Sequence, residues 1–187
     1  MATDSLRRAA VTWTYSDLRL FPDDRNRYEI IDGELVVTPS PTTTHQKVSK
    51  RIQLALMLQV EGTGAGVVFD APVDVILADT RVVQPDLLVV AAARRGIITE
   101  RGIEGAPALV VEILSPSTLR TDRELKRKLY AAAGVAEYWL VDPVGHAVEV
   151  LVLDQAEYRL HGRFGPGERV SSTLFPLDLE VDPIFAP

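Results

Sequence analysis

The alternation of apolar and polar residues predicts short strands along much of the chain. Arg27–Ile31 and Glu34–Thr38 flank an Asp-Gly pair, which is typical of the tight turn of a β-hairpin. Val82–Val90 is almost continuously apolar, as expected of a strand that is buried on both faces. Ala108–Leu114 has the same character, and a meander of further strands is predicted between Val135 and Leu160.

Two segments have the apolar spacing of helices instead. In His45–Val60 apolar residues recur at helical intervals, and the preceding threonines offer N-caps. Thr121–Ala133 is predicted to be a second helix that ends at Gly134. Arg94–Gly105 is polar and contains glycine, so we expect a mobile loop there. The pattern as a whole predicts an α/β (α+β) fold in which helices flank a mixed β-sheet.

Length and composition agree with one globular domain. The chain has 187 residues, of which 47% are apolar and 25% charged. A chain of this length can bury roughly 70% of its unfolded surface in a core. We find no repeat and no long linker, and therefore expect a single domain over residues 1–187, in which residues 1–11 form an arm.

Cysteine usage and charge exclude several classes of site. There are no cysteines, which removes disulfides, thiolate zinc sites and a cysteine nucleophile. The net charge of −6 argues against coating nucleic acid by bulk charge, although a local basic surface is still compatible with it. No apolar stretch is long enough to span a bilayer, and no secretory signal is recognised near the start. We expect a cytoplasmic protein that does not contact membranes.

Two acidic residues interrupt segments that should be buried. Glu112 lies in Leu109–Leu114, and Asp86 lies within the apolar run 82–90. A buried carboxylate must be paired, protonated or bound to a metal, because leaving it unpaired costs several kcal/mol. If the two strands are neighbours, both acids could bind a hard cation such as Mg²⁺. The alternative is that each acid pairs with an arginine or caps a backbone group.

The second predicted helix carries a row of polar residues on one face. Asp122, Lys126 and Tyr130 follow one another at four-residue spacing. Lys126 could point into a site near Glu112, or it could form an ordinary surface pair with Asp122. The same segment is locally basic and could contact a phosphate backbone, although a solvated helix face would have the same composition. Its candidate DNA-binding residues are Arg120, Arg123 and Arg127.

Two further residues are candidates for the same site. His45 opens the first long helix, where an anion is favoured, although a polar residue in the first turn is common without any function. Glu29 lies in the first predicted strand, and it could be a third acidic group or an exposed strand residue.

The ordered set of motifs resembles the Uma2 family, a branch of the PD-(D/E)XK nuclease superfamily. The likeness extends from about Thr12 to Phe185 and centres on the sequence Glu-Ile-Leu-Ser-Pro-Ser-Thr that begins at Glu112. The segments that carry it are Tyr28–Leu35, Pro39–Pro41 with His45, Val83–Leu87, Val111–Thr118, the row Asp122, Lys126 and Tyr130, and Gly134–Pro143.

The resemblance implies a restriction-endonuclease-like fold, a divalent-metal site and hydrolysis of phosphodiester bonds. Asp86 and Glu112 match the two acids that bind metal, which would be Mg²⁺ or Mn²⁺. The superfamily has a lysine two residues after the second acid, but position 114 is leucine here. The matching candidate is Lys126 on the following helix, with Glu29 and His45 as additional site residues.

Three functional hypotheses follow from these residues. The first is a metal-dependent DNA endonuclease, which would use Asp86, Glu112 and Lys126 as catalytic residues and which we expect to be a homodimer. The second is a catalytically silent nucleic-acid-binding or scaffold protein of the same fold. The third is a hydrolase of a small phosphorylated substrate, which would require a closed pocket rather than an open groove.

Overall fold

The computed structural model describes residues 11–22, 24 and 26–186. Nearly all of the predicted N-terminal arm lies outside these residues. In the described ranges the strands are β1 (Arg27–Ile31), β2 (Glu34–Thr38), β3 (Gly66–Asp70), β4 (Val75–Ala78), β5 (Arg81–Val83), β6 (Leu87–Ala91), β7 (Ile98–Thr99), β8 (Gly102–Ile103), β9 (Leu109–Ile113), β10 (Glu137–Asp142), β11 (Ala147–Asp154), β12 (Glu157–Phe164), β13 (Arg169–Ser171) and β14 (Asp178–Glu180).

Four α-helices are described with them. They are α1 (Tyr15–Leu18), α2 (Thr43–Leu56), α3 (Arg127–Ala133) and α4 (Val181–Phe185). Helix α2 continues as a π-helical segment, Met57–Glu61, and α3 is preceded by another, Thr121–Lys126. In the described part of the chain, no helix is both long and apolar enough to cross a membrane.

The central sheet has six strands in the order β12-β11-β10-β9-β6-β3. Only β9 and β10 are parallel, and every other neighbouring pair is antiparallel. All five residues of β9 are buried, as are the first five of β10. The near-continuous apolar runs of these strands are explained by burial on both faces of the sheet.

A second sheet of six shorter strands lies on one face of the first, in the order β2-β1-β5-β4-β8-β7. Side chains from both sheets and from α3 form one core, which includes Val83, Leu88, Val110 and Tyr138. On the opposite face, α2 and the C-terminal elements form a separate core around Trp139. The central sheet is therefore buried between two layers, and any polar residue on it lies inside the protein.

The fold class expected from the sequence is confirmed, and the first hairpin has the predicted boundaries. Asp32 and Gly33 have φ values of 51° and 83°, as a type I′ turn between β1 and β2 requires. The long helices also lie where the pattern predicts them. The strands are divided between two sheets, however, whereas the pattern predicts one.

Two local predictions were wrong. The run Val82–Val90 is not one strand, because it leaves the second sheet at Val83 and enters the central sheet at Leu87. Pro85 lies between the two strands and has no N–H for a sheet ladder. Residues 94–105 are not an irregular loop, since they include a short 3₁₀ helix and the hairpin β7–β8, which extends the second sheet.

Candidate active site

Two neighbouring strands of the central sheet bring Asp86 and Glu112 together. Strands β6 and β9 are antiparallel, with Leu87 opposite Val111. One step further along this register, Asp86 lies beside Glu112. Residues that are directly opposite in an antiparallel pair point to the same face of the sheet. Both side chains are buried, with exposures of 4% and 2%.

The Glu112 carboxylate is held by two donors from the helix that follows β9. Lys126 donates to its Oε1 from Nζ at 3.0 Å, and the Tyr130 hydroxyl donates to the same atom at 2.8 Å. Burial raises the pKa of Glu112 well above its usual range, Lys126 opposes this rise, and the charges of Asp122 and Asp86 add to it. Nearby positive charge is therefore needed to keep this carboxyl group ionised.

Lys126 reaches this carboxylate from the π-helical segment that precedes α3. Such segments are often found at functional sites. Here the segment buries both Asp122 and Lys126, although most of its other residues are polar. Burial opposes the charge of Lys126, but the carboxylates of Glu112, Glu29 and Asp122 outweigh it and raise the pKa of the ammonium group. Lys126 is therefore a cation enclosed by acids.

Glu29 enters the site from the second sheet. Its Oε1 accepts from Lys126 Nζ at 2.8 Å and from the backbone N–H of Gln84 at 2.7 Å. The side chain is 2% exposed. Glu29 therefore links the β1 strand, the connection between β5 and β6, and the lysine that contacts Glu112.

Asp86 is bound by three donors on the other side of the site. Its Oδ1 accepts from Arg27 at 3.0 Å, and its Oδ2 lies 3.1 Å from His45 Nε2 and accepts from the Ile113 N–H at 2.8 Å. Burial alone would raise the pKa of Asp86, but the hydrogen bond from His45 and the charge of Arg27 lower it to about 2. Asp86 is therefore ionised at neutral pH.

Except for Tyr130, these side chains line one cavity of about 240 Å³, which we call the acidic cavity. Within the described ranges six charged residues are buried, and all but Glu137 line it. Four carboxylates, from Glu29, Asp86, Glu112 and Asp122, face the two permanent cations of Lys126 and Arg27. The acidic cavity therefore holds more carboxyl groups than permanent cations.

Asp122 is the least satisfied of the four acids. Its Oδ1 is the one buried side-chain nitrogen or oxygen without a hydrogen-bond partner in the part of the chain that the structure describes. The nearest cation is Lys126 Nζ, at 3.8 Å from this oxygen. Burial raises the pKa of Asp122, while the charge of Lys126 and a hydrogen bond from Thr118 lower it in part. The oxygen is thus buried at the wall of the acidic cavity with an incomplete set of partners.

The chemistry of these residues fits a hard divalent cation. Among the described residues, no group of three or more His, Cys, Asp or Glu side chains is arranged so that it could hold a metal ion. Mg²⁺, however, keeps several waters and is usually bound through one or two carboxylates together with substrate phosphates. Asp86 and Glu112 provide two carboxylates. The surplus of carboxyl groups over permanent cations and the incompletely bonded oxygen of Asp122 both favour a cation nearby.

The structure places every predicted catalytic residue in the acidic cavity. Asp86, Glu112 and Lys126 line it, and so do the two additional candidates, Glu29 and His45. Whether these residues bind metal or act in catalysis stays a prediction.

The three arginines that we predicted to bind DNA lie outside this cavity. Arg120 is highly exposed and pairs with Glu124 at 3.2 Å. Arg123 makes a bidentate ion pair with Glu149 at 2.9 and 3.1 Å, and Arg127 donates to a backbone carbonyl of β12. All three side chains therefore have partners within the protein, and their role in binding DNA stays a prediction.

Sequence reasoning did not assign three residues of this site. Arg27 is two residues from Glu29 on β1, and strand alternation places both on one face. Asp122 and Tyr130 share a helix face with Lys126, and the four-residue spacing was a signal for both. What the sequence does not provide is the distance of each side chain from the carboxylates of the central sheet.

Comparisons with known proteins identify a family and a shared fold. The model of the Uma2 family, described as "Putative restriction endonuclease", matches residues 14–183. A solved structure described as a "putative nuclease belonging to DUF820" from Anabaena variabilis is similar over 92% of this chain and 97% of its own, with a TM-score of 0.76 and 22% identity. At that identity the likeness shows a shared fold. No curated protein matches the sequence.

Proposed function

Because the chain belongs to the Uma2 family, we propose that it is a divalent-metal-dependent endonuclease that hydrolyses phosphodiester bonds of DNA. The observation that carries this proposal is the convergence of Asp86, Glu112 and Lys126 on the acidic cavity. The register of β6 and β9 aligns the two acids, and the lysine reaches them from a helix. Within the PD-(D/E)XK superfamily this lysine would replace the one expected two residues after Glu112.

In this proposal Asp86 and Glu112 hold Mg²⁺ or Mn²⁺. A divalent cation held by these two residues would supply Lewis-acid activation of the phosphate and would lower the pKa of a water bound to it. Lys126 keeps its positive charge and stabilises negative charge that develops on the phosphate. Tyr130 and Glu29 position these groups, because each bonds directly to Glu112 or Lys126.

His45 and Arg27 have a positioning role in the same scheme. Both contact Asp86, at 3.1 and 3.0 Å, and therefore fix the orientation of its carboxylate. Residues that hydrogen-bond to metal ligands in this way commonly set the orientation and basicity of those ligands. We further propose that the protein acts on DNA as a homodimer, since two related active sites suit cleavage of two strands.

The competing candidate is a catalytically silent nucleic-acid-binding or scaffold protein of the same fold. It is favoured by the ion pairs of Lys126 with Glu29 and Glu112, at 2.8 and 3.0 Å. Such a network could stabilise the core without any cation. In that case the acids would have no role beyond packing and internal charge compensation.

The test is plasmid cleavage with Mg²⁺ or Mn²⁺, using the wild type, Glu112→Gln and Lys126→Met. Exposed residues of the same helix provide matched controls, Glu124→Gln and Lys128→Met. An endonuclease cuts only with metal, loses activity in the two cavity variants and keeps it in both controls. Absence of cutting by a folded wild type on supercoiled, linear and unpaired DNA favours the scaffold.

A further inference from the structure

A second and larger cavity, of about 490 Å³, opens beside the acidic cavity. We call it the aromatic cavity, because Phe21 and Tyr28 are among the residues that line it. Its volume lies within the roughly 300–1,000 Å³ that is typical of sites for small organic groups. The proposed nuclease function does not account for it.

The two cavities are joined by Arg27. This side chain lines both of them, and so do loop residues 39–41. Its guanidinium donates to the carbonyl of Gln84 at 2.9 Å and to Asp86 at 3.0 Å. Gln84 lines the aromatic cavity and Asp86 the acidic one. A phosphate beside Asp86 would therefore be adjacent to whatever the aromatic cavity binds.

Phe21 and Tyr28, which line the aromatic cavity, pack against each other with tilted rings. The ring centroids of Phe21 and Tyr28 are 4.8 Å apart at an angle of 30°, and Trp13 lies 5.4 Å beyond Phe21. The Tyr28 hydroxyl donates to Asp24 at 2.9 Å, which fixes the ring edge. Half-buried aromatic rings of this kind are surfaces on which a planar ring stacks.

Other groups that line the aromatic cavity can hydrogen-bond to the edge of such a ring. They include the side-chain amides of Asn26, Gln46 and Gln84 and the carboxylate of Asp74. Gln84 and Asp74 hold each other in place through a hydrogen bond of 2.8 Å. Amide and carboxylate groups are the side chains that recognise the edges of nucleobases.

We propose that the aromatic cavity binds an unpaired nucleobase next to the phosphate that is cleaved. The proposal rests on the nuclease function and specifies its substrate as single-stranded or locally unpaired DNA. In a duplex both faces of a base are covered by neighbouring bases, so a base reaches an aromatic wall only when it leaves the stack. Arg27 lies where the backbone of that nucleotide passes between the cavities.

The test measures affinity without cleavage. An oligonucleotide containing 2-aminopurine is titrated in EDTA, as a single strand and as a duplex, with the wild type, Phe21→Leu, Phe21→Trp and Leu20→Ala. Leu20 is the matched control because it is 83% exposed and is not among the residues that line the cavity.

We expect the wild type to bind the single strand at least about tenfold more tightly than the duplex. Loss of the ring in Phe21→Leu weakens single-strand binding roughly 5- to 150-fold, as expected for the loss of one stacked base. Phe21→Trp keeps a ring and stays within about twofold of the wild type. Leu20→Ala binds as the wild type does.

The proposal is overturned if the wild type does not bind the single strand or has equal affinity for both DNA forms. It is also overturned if folded Phe21→Leu binds as the wild type does, since the rings would then only pack α1 against the hairpin. If the wild type needs Phe21 to bind unpaired DNA but never cleaves it, only the proposed nuclease function is refuted. If the wild type cleaves DNA and cleavage does not depend on Phe21, only the proposed base-binding site is refuted.

Discussion

Replacement of Lys126 by methionine tests how strongly the acidic cavity depends on its central cation. The substitution keeps a long unbranched side chain and removes the ammonium group. That group donates to Glu112 at 3.0 Å and contacts Glu29 at 2.8 Å, while its own side chain is 3% exposed. In the variant Glu112, Glu29 and Asp122 all lose their nearest cation.

The size of the effect follows from these contacts. Two charge-assisted hydrogen bonds of about 1.5–3 kcal/mol each give a loss of about 3–6 kcal/mol. A second route gives a similar figure, because removal of one partner from a buried ion pair lowers the free energy of unfolding by about 3–5 kcal/mol. We therefore expect the free energy of unfolding to fall by about 3–5 kcal/mol in Lys126→Met. The total free energy of unfolding of a single domain is only about 5–15 kcal/mol.

Urea denaturation followed by circular dichroism at neutral pH in EDTA measures this loss. Lys128→Met is the matched control, since Lys128 is exposed on the same helix and should change stability by no more than about 0.5 kcal/mol. A loss below about 1 kcal/mol in Lys126→Met would refute the reasoning. It would mean that the carboxylates are compensated by protons or solvent rather than by the lysine.

Three further predictions concern other residues. Asp122→Asn removes the negative charge of a carboxyl group whose ionised form is destabilised by burial, so we expect the free energy of unfolding to rise by about 1 kcal/mol and Mn²⁺ affinity, measured by calorimetry, to fall. The Glu137 carboxylate accepts hydrogen bonds from Trp139 Nε1 at 2.6 Å and from the Thr173 backbone N–H and hydroxyl at 2.8 and 2.6 Å. Glu137→Ala removes this acceptor and should lower the free energy of unfolding, measured by urea denaturation, by about 2–5 kcal/mol. Gly134→Ala places a side chain at φ 84° after α3 and should lower unfolding free energy by about 1–2 kcal/mol.

Each of these has a result that contradicts it. Unchanged Mn²⁺ affinity in Asp122→Asn would show that this carboxylate does not attract the cation. Wild-type stability of Glu137→Ala would mean that the C-terminal segment does not depend on its buried carboxylate. Equal stability of Gly134→Ala and Gly96→Ala would mean that the left-handed backbone at Gly134 costs alanine nothing. Gly96 is the matched control, since it has no positive φ and, as at Gly134, an added Cβ would meet no atom within 4 Å.

The sequence predicts those parts of the fold whose signals are local. The Asp32–Gly33 pair requires positive φ at both turn residues, and this requirement is independent of the rest of the protein. Gly134 ends α3 for a similar reason, with a left-handed φ of 84°. The change of sheet within Val82–Val90 could not be predicted in this way. Apolar residues look alike whether they belong to one buried sheet or to two.

The candidate site could be predicted in part for the same reason. Asp86 and Glu112 are conspicuous because each interrupts an apolar segment, and neighbouring strands bring them together. The reach of Lys126 depends on a π-helical segment, which leaves no clear signal in the sequence. The role of Arg27 depends on how the second sheet packs on the first, since it belongs to one sheet and Asp86 to the other.

The most direct test of the central claim is the rate of DNA cleavage as a function of Mg²⁺ concentration, measured for the wild type and Asp86→Asn. We predict no cleavage in EDTA and a wild-type rate that saturates with Mg²⁺. We expect Asp86→Asn to cleave at least about 100-fold more slowly at every Mg²⁺ concentration. Substitution of residues that only orient metal ligands already lowers metal affinity or activity about 10- to 100-fold. Cleavage that persists in EDTA, or that continues at the wild-type rate in Asp86→Asn, would contradict the assignment of the acidic cavity as a metal-dependent nuclease centre.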